Sequence, residues 1–261
     1  MKLALVGDAH LIDPNDPHDG RRTARMRFVE AWPSFEALLA RINSEAVDHV
    51  CFTGDLVDYY SRENREFALD LVSQLNMPWT MVPGNHDYQL VDERDDEVRL
   101  YTDRSACREE WEAAGVGLHN RSESFGDVQL LLLDSALSDI PAGTESWFES
   151  IVQSDQFTIL CTHVPVNQPA VVEAITDREP DRNLTKYVQS GVPDRVSREM
   201  VSQVDAIVSG HLHFQATAKV GNATQYILPL SIRRSDPRYR KEGSFVIVDT
   251  NSPDSFQWIT V

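Results

Sequence analysis

The chain has 261 residues, a formal net charge of −17 and a hydrophobic fraction of 41%. This length and composition suit a sizeable core in one domain spanning residues 1–261. The sequence has no apolar stretch of the roughly 18 residues that cross a membrane, and its negative charge disfavours a protein that follows a nucleic-acid backbone. A site for phosphate groups would need positive charge of its own, which bound divalent cations can supply.

The first residues, MKLALVGDAH, begin like a secretory signal. However, the apolar run is short, no small-residue cleavage site follows it, and acidic residues come at once. We therefore expect a first buried strand and a cytoplasmic protein. The cysteines form no disulfide pattern or CxxC pair, and we interpret Cys51 and Cys161 as small core residues.

The first half of the chain alternates short apolar runs with segments of helical periodicity. Leu3–Val6, His49–Thr53 and Trp79–Val82 are rich in β-branched or bulky residues, which predicts buried strands. Apolar spacing predicts helices over Ala24–Ser44, kinked or divided by its internal proline, and Glu63–Leu75. This βαβαβ order predicts a parallel sheet with covering helices.

The second half is predicted to be richer in antiparallel strands, including a hairpin over residues 122–134. Short helices are predicted at Ser105–Ala114 and Glu145–Gln153, and Tyr88–Arg104 is predicted to be a polar surface loop. Val164–Val192 is predicted to be irregular, and it is either a substrate loop or plain surface packing. The predicted strands are Ser122–Phe125, Val128–Asp134, Phe157–Thr162, Ala206–Ser209, Thr224–Leu228, Ser244–Asp249 and Phe256–Val261.

Five short polar motifs each follow an apolar, strand-like run. Ligands of open α/β sheets bind beyond the carboxyl ends of the strands, so five such ends can converge on one cleft. Each motif alone barely differs from an ordinary turn, whereas all five in this order are hard to explain that way. The motifs are Gly7-Asp8-Ala9-His10, Gly54-Asp55-Leu56-Val57-Asp58, Gly84-Asn85-His86-Asp87, Thr162-His163 and Gly210-His211-Leu212-His213.

The side chains of these motifs that can bind metal are histidine, aspartate and asparagine. Mixed imidazole and carboxylate ligation suits Mn, Fe or Zn better than Ca or Mg. Seven ligands are too many for one ion, so we expect two ions that share a carboxylate. Such pairs lie roughly 3.5–4 Å apart, and they lower the pKa of a bridging water.

This pattern resembles the calcineurin-like metallophosphoesterase superfamily over essentially the whole chain. The resemblance implies an α/β fold, a four-layer αββα sandwich of two mixed β-sheets flanked by helices. It also implies two metal ions bridged by one aspartate. The implied ligands are Asp8, His10, Asp55 and His213 for the first ion, and Asp55, Asn85, His163 and His211 for the second.

The resemblance assigns different roles to the remaining motif residues. His86 would not bind metal but would face the phosphate, where it would stabilise the transition state or protonate the leaving oxygen. Asp58 is expected to pair with His86 and favour its cationic form. Asp87 is expected to support the turn. These assignments imply a working enzyme, because a non-catalytic scaffold of this superfamily usually lacks the histidine at position 86.

The motifs differ from those of other branches of the superfamily, and these differences narrow the range of implied substrates. The protein Ser/Thr phosphatases read GDxxDRG and RGNHE, with arginines that clamp a monoester dianion, whereas here Tyr59-Tyr60 follows the second motif and Pro83 precedes the third. The pattern is most similar to class III cyclic-nucleotide phosphodiesterases and their relatives. It implies hydrolysis of small phosphodiesters, of cyclic nucleotide or glycerophosphodiester type, by a metal-bridging hydroxide. The alternatives are a phosphomonoesterase of small metabolites and a non-catalytic metal-bound scaffold.

Three residues outside the motifs are candidates for substrate contact. His18 lies in a turn-like loop, where the alternative is a solvated histidine. Arg233 and Arg234 belong to a basic segment, 233–241, which either attracts anionic substrate or forms salt bridges, including salt bridges between the chains of a homo-oligomer. The basic residues are otherwise mostly arginines, which we interpret as a genomic or solvent-adaptation bias. The lysines are Lys2, Lys186, Lys219 and Lys241.

Overall fold

The computed structural model describes residues 1–94, 97–151, 155–234 and 242–261. A first sheet of five strands is mixed. The three strands from the first half of the chain are parallel to one another, and the two C-terminal strands each pair antiparallel with their neighbours. The predicted βαβαβ arrangement of the first half is therefore confirmed. From edge to edge the strands are β13 (Ser252–Thr260), β12 (Ser244–Asp249), β1 (Lys2–Val6), β2 (His49–Phe52) and β3 (Trp79–Met81).

A second sheet of six strands is also mixed. Its four central strands are parallel, and an antiparallel strand closes each edge. The predicted hairpin over residues 122–134 is confirmed, with Phe125 opposite Val128. In spatial order the strands are β10 (Ala216–Val220), β11 (Ala223–Ile227), β9 (Ala206–Ser209), β8 (Phe157–Thr162), β7 (Val128–Leu133) and β6 (Arg121–Phe125).

Helices cover the outer faces of both sheets. Pro33 lies in the first turn of the helix Trp32–Ser44, where a missing backbone N–H costs nothing. The predicted helix is therefore divided before the proline and not bent at it. Across the described residues, no helix is long and apolar enough to cross a membrane. The helices are α1 (Asp19–Ala24), α2 (Met26–Val29), α3 (Trp32–Ser44), α4 (Arg62–Val72), α5 (Arg104–Ala113), α6 (Thr144–Ile151), α7 (Pro169–Arg178) and α8 (Asp194–Ser202).

Apolar side chains fill three spaces between four layers. On β1, Leu3 and Leu5 lie between the two sheets, whereas Ala4 and Val6 pack under α3 and its neighbours, because side chains alternate along a strand. A third cluster joins the second sheet to α6, α7 and α8. The four-layer αββα arrangement is therefore confirmed. Strands buried on both faces, such as β7, explain the continuous apolar runs of the sequence.

Two segments differ from the sequence-based expectation. Tyr88–Arg104 was expected to be a loop, but it contains a hairpin of β4 (Gln89–Arg94) and β5 (Glu97–Thr102). Its apolar residues are few and partly exposed. Backbone hydrogen bonds hold the two strands together, and such bonds produce no alternating apolar pattern in the sequence. Val164–Val192 was expected to be irregular, yet it contains α7. Pro169 starts this helix, and only two of the helix's side chains are fully buried, which weakens the periodic signal.

Candidate metal centre

The five motifs converge beyond the carboxyl ends of five strands. Asp8 and His10 follow β1, Asp55 follows β2 and Asn85 follows β3 in the first sheet, and the three other histidines follow β8 and β9 in the second. The site therefore lies where strand ends of both sheets meet. All seven side chains predicted to bind metal come together there: Asp8, His10, Asp55, Asn85, His163, His211 and His213.

The first group of donors consists of Asp8, His10, Asp55 and His213, whose donor atoms all lie within 4.8 Å of one another. The Nε2 atoms of His10 and His213 are 2.9 Å apart. His213 Nε2 lies 3.2 Å from Asp8 Oδ2, and His10 Nε2 lies 3.5 Å from Asp55 Oδ2. Nitrogen and carboxylate atoms that surround one point in this way can hold a transition-metal ion.

The second group shares Asp55 with the first. His163 Nε2 lies 3.3 Å from Asp55 Oδ2 and 3.3 Å from Asn85 Oδ1. His211 Nδ1 lies 3.1 Å from His163 Nε2. Because Asp55 belongs to both groups, the arrangement can hold two ions bridged by one carboxylate.

Three of the four histidines are held by contacts at the ring nitrogen that points away from the donor groups, and these contacts fix which nitrogen each of the three offers. His10 Nδ1 lies 3.1 Å from Asp58 Oδ1, and His163 Nδ1 donates to the Thr53 carbonyl at 2.8 Å. His211 is held the other way round, since its Nε2 donates to the Lys186 carbonyl at 2.8 Å. Metal-binding histidines are oriented by such bonds. The donor set therefore has the support that a metal site requires.

The electrostatics of the site also favour bound cations. Asp8 and Asp55 are buried. Burial lowers the pKa of His163, but the charges of Asp55 and Asp8 outweigh it and raise that pKa to about 9. A protonated histidine is thus the counter-ion of these carboxylates in the metal-free protein. A metal ion can replace that proton, since binding to histidine requires the neutral ring.

Asp87 supports the turns that carry the site, as expected. Its carboxylate accepts hydrogen bonds from the backbone N–H groups of Asp55 and Gly84 at 2.8 Å, Leu56 at 3.1 Å and Val57 at 3.3 Å. Burial raises the pKa of Asp87 to about 7, and the charge of Asp55 adds to that shift. This carboxylate joins the second and third motifs without facing the donor groups.

The backbone itself is unusual at the site. Six non-glycine residues among the described ones have positive φ, and four of them are His10 (48°), Asp55 (51°), His211 (69°) and His213 (61°). L-residues rarely adopt this left-handed conformation, and where it persists it commonly marks a functional site. The strain is concentrated in the predicted metal ligands.

Two glycines allow the chain to approach these ligands closely. A Cβ atom at Gly84 would lie 2.1 Å from Asp55 Oδ1, and one at Gly210 would lie 2.0 Å from Asp8 Oδ1. Neither contact is sterically possible, so both motifs require glycine at these positions.

The expected pairing of Asp58 with His86 takes a different form. The Asp58 carboxylate is held by Arg25, whose Nε lies 2.8 Å and 3.0 Å from its two oxygens, and by Arg21 at 3.1 Å. It also contacts His10, whereas His86 Nδ1 is 3.9 Å from it and bonds to the Asp58 carbonyl oxygen. Burial raises the pKa of Asp58, but His10, His86 and Arg25 together hold it well below its usual range.

A cavity of about 690 Å³ opens above the donor groups. Its floor includes Asp55, Asn85, His86, His211 and His213. The wall combines residues that were not predicted individually, from the end of β5, a turn after β7 and the segment after α7. The last of these lies in Val164–Val192, for which a substrate loop was one of the two interpretations. These wall residues are Thr102, Ala136, Leu137, Ser138, Asp139, Thr185, Lys186, Tyr187, Ser190 and Gly191.

The three predicted substrate contacts are not among the residues that line this cavity. His18 is paired with Asp16, 3.0 Å from its carboxylate. Arg234 binds the buried carboxylate of Glu242, and Arg233 donates to the Glu242 carbonyl at 3.3 Å, because a buried acid needs a cationic partner. The rest of the basic segment, residues 235–241, lies outside the described residues.

Comparison with known proteins identifies the family. A family model described as calcineurin-like phosphoesterase matches residues 1–215, and the chain belongs to this family. A protein from Fibrobacter succinogenes named "Probable cyclic nucleotide phosphodiesterase" is 23% identical over 243 residues, which cover 91% of this chain and 82% of that protein. A protein of Psychrobacter arcticus with the same name is also 23% identical, over 252 residues and the same shares of the two chains.

Solved structures support the fold. A dimetal phosphatase from Danio rerio superimposes with a TM-score of 0.55, covering 100% of this chain and 98% of that protein at 14% sequence identity. At this identity the likeness concerns the arrangement of sheets and helices. The family match and the Asp and His groups support a metal-dependent phosphoesterase.

Proposed function

We propose that the protein is a two-metal phosphodiesterase that hydrolyses small phosphodiesters, of cyclic nucleotide or glycerophosphodiester type. The observation that carries this proposal is the pair of donor groups that share Asp55 at the floor of the cavity. The names of the two bacterial relatives support phosphodiester substrates.

The proposed metal ligands are the seven residues predicted from the motifs. One ion would be held by Asp8, His10 and His213, and the other by Asn85, His163 and His211. Asp55 would bind both ions. We propose Mn, Fe or Zn because the donors mix imidazole with carboxylate. When bound, the two ions would supply Lewis acidity that activates water and neutralises charge on the phosphorus.

His86 is proposed to act directly on the phosphate. It lines the cavity, and because its Nδ1 bonds to the Asp58 carbonyl, its Nε2 is the nitrogen left for substrate. There the cationic ring, which carries a proton on both nitrogens, would donate from Nε2 to a non-bridging oxygen or transfer that proton to the leaving oxygen. Asp58 would act through its contacts, by fixing His10 with its carboxylate and His86 with its carbonyl.

The arrangement of arginines around the cavity supports the proposal of a diester over a monoester. No arginine is found among the described residues that line it. The nearby Arg25 and Arg21 are bound to Asp58, and Arg104 is bound to Asp139 at 2.6 Å. A dianionic monoester therefore lacks the bidentate clamp that would select it.

Paired rate measurements test this proposal. We expect the Mn²⁺-loaded protein to hydrolyse bis-p-nitrophenyl phosphate with a kcat/KM about tenfold or more above that for p-nitrophenyl phosphate, the value of one charge-assisted contact. Both substrates release p-nitrophenolate, so the comparison isolates the phosphate. A higher kcat/KM for the monoester would favour a phosphomonoesterase. No turnover of either by metal-loaded protein would favour the scaffold.

A further inference from the structure

One wall of the cavity is built by the segment that follows α7. It begins with a 3₁₀ turn, Leu184–Lys186, and continues to Gly191. Gln189 is buried and donates to Thr162 Oγ1 at 3.1 Å and to the Val164 carbonyl at 2.8 Å. The wall is therefore fastened to the strand end that carries His163.

Lys186 joins this wall to the metal centre through its main chain. Its carbonyl accepts the 2.8 Å hydrogen bond from His211 Nε2 that leaves Nδ1 free for metal. Its N–H donates to the Asn183 carbonyl at 3.1 Å. The position of the Lys186 backbone is thus fixed beside the second donor group, while its side chain is exposed and lines the cavity.

Lys186 is also the uncompensated charge of the cavity wall. Of the described residues that line the cavity, it alone is a lysine or arginine, and its ammonium group makes no hydrogen bond or ion pair with another described residue. The acidic residue of the wall, Asp139, is paired with Arg104. In a chain of net charge −17, an unpaired cation beside a phosphate site attracts a further anion.

The same wall is poorly suited to stack a nucleobase. Tyr187 is its aromatic residue, and the Arg182 guanidinium lies 4.2 Å from the centre of the Tyr187 ring. The His211 ring lies 5.2 Å from the same ring, tilted by 41°. Recognition at this wall therefore depends on charge more than on stacking.

We propose that Lys186 is a specificity-determining residue that binds a second anionic group of the substrate, a carboxylate or phosphate carried in addition to the phosphate that is cleaved. This inference rests on the proposed phosphodiesterase function. It names the substrate class as small phosphodiesters that carry an extra negative charge.

Two matched substrates test the inference: phenyl p-nitrophenyl phosphate and its 4-carboxyphenyl counterpart, which differ by one carboxylate and release the same product. We expect wild-type kcat/KM to be about tenfold higher for the carboxylated diester, since a contact between opposite charges has about this value. The ratio should fall to about one in Lys186→Met and be largely kept in Lys186→Arg. A phosphonate in place of the carboxylate shows which anion is preferred.

Lys219→Met is the matched control, because Lys219 is exposed on β10 and its removal changes the net charge equally. Its ratio should stay at the wild-type value, and an equal fall in both variants would contradict a local contact. An unchanged ratio in Lys186→Met would overturn the inference. Calorimetry of phenylphosphonate and 4-carboxyphenylphosphonate binding to metal-loaded protein repeats the comparison without turnover. A failure of the proposed phosphodiesterase activity can therefore be told apart from a failure of the proposed Lys186 contact.

Discussion

Asp55→Asn is expected to lower kcat/KM for bis-p-nitrophenyl phosphate by about a thousandfold, because Asp55 alone belongs to both donor groups. Asparagine keeps the shape of the side chain but removes the charge that balances two cations. The protein should therefore also bind fewer than two Mn²⁺ ions per chain. Turnover measurements and elemental analysis of the same samples check both expectations.

The matched control for this variant is Asp249→Asn. Asp249 ends β12 opposite Lys2, at the far end of the sheet, and its loss changes the net charge by the same amount. We expect wild-type turnover and metal content in the control. Full turnover in Asp55→Asn with two bound ions would show that this carboxylate does not bridge metals.

His86→Ala should lower turnover about 10²–10⁴-fold, the usual contribution of a positioned proton donor. Metal content should stay at the wild-type level, because His86 bonds to Asp58 and Asp55 instead of completing either of the two proposed donor groups. The loss should be larger for a diester with an alkyl leaving group than for one that releases p-nitrophenolate, which departs without a proton. Steady-state kinetics on both diesters measure the difference.

His119→Ala removes an exposed imidazole elsewhere on the chain and should change neither rate nor metal content. An equal loss on both diesters would assign His86 to charge stabilisation and not to proton donation. Loss of metal together with activity would instead assign it a structural or ligand role.

The part of the site that the sequence predicted is the part encoded locally. Each motif follows a buried strand, and parallel strands bring their carboxyl ends to one edge, so the convergence of residues as distant as Asp8 and His213 follows from strand order. The alternation of Leu3 and Leu5 with Ala4 on β1 likewise places two apolar layers on its two faces.

Contacts between residues far apart in the chain leave no pattern in the sequence and could not be predicted from it. Arg25 lies near the start of the helix predicted over Ala24–Ser44, and its spacing does not show that it holds the Asp58 carboxylate, which in turn fixes His10. Arg234 is predicted to contact substrate, but it forms an ion pair with the buried Glu242 instead, since an unpaired internal carboxylate is costly.

Lys186 is a second residue whose position at the site could not be predicted from the sequence. A substrate loop is one of the two interpretations of Val164–Val192, but nothing in the sequence singles out Lys186 within it. The scarcity of lysines is interpreted as a compositional bias. Only the packing of the segment after α7 against His163 and His211 brings it to the cavity wall. Backbone conformation is equally hidden, since His10 and His213 adopt positive φ because the surrounding structure imposes it.

The central claim, two metal ions acting together on a phosphodiester, is tested most directly by titrating metal-stripped protein with Mn²⁺ while following bis-p-nitrophenyl phosphate hydrolysis. We predict that turnover is absent without metal and reaches its maximum only when two ions are bound per chain. Maximal turnover at one ion per chain, or no turnover with both sites filled, would contradict it.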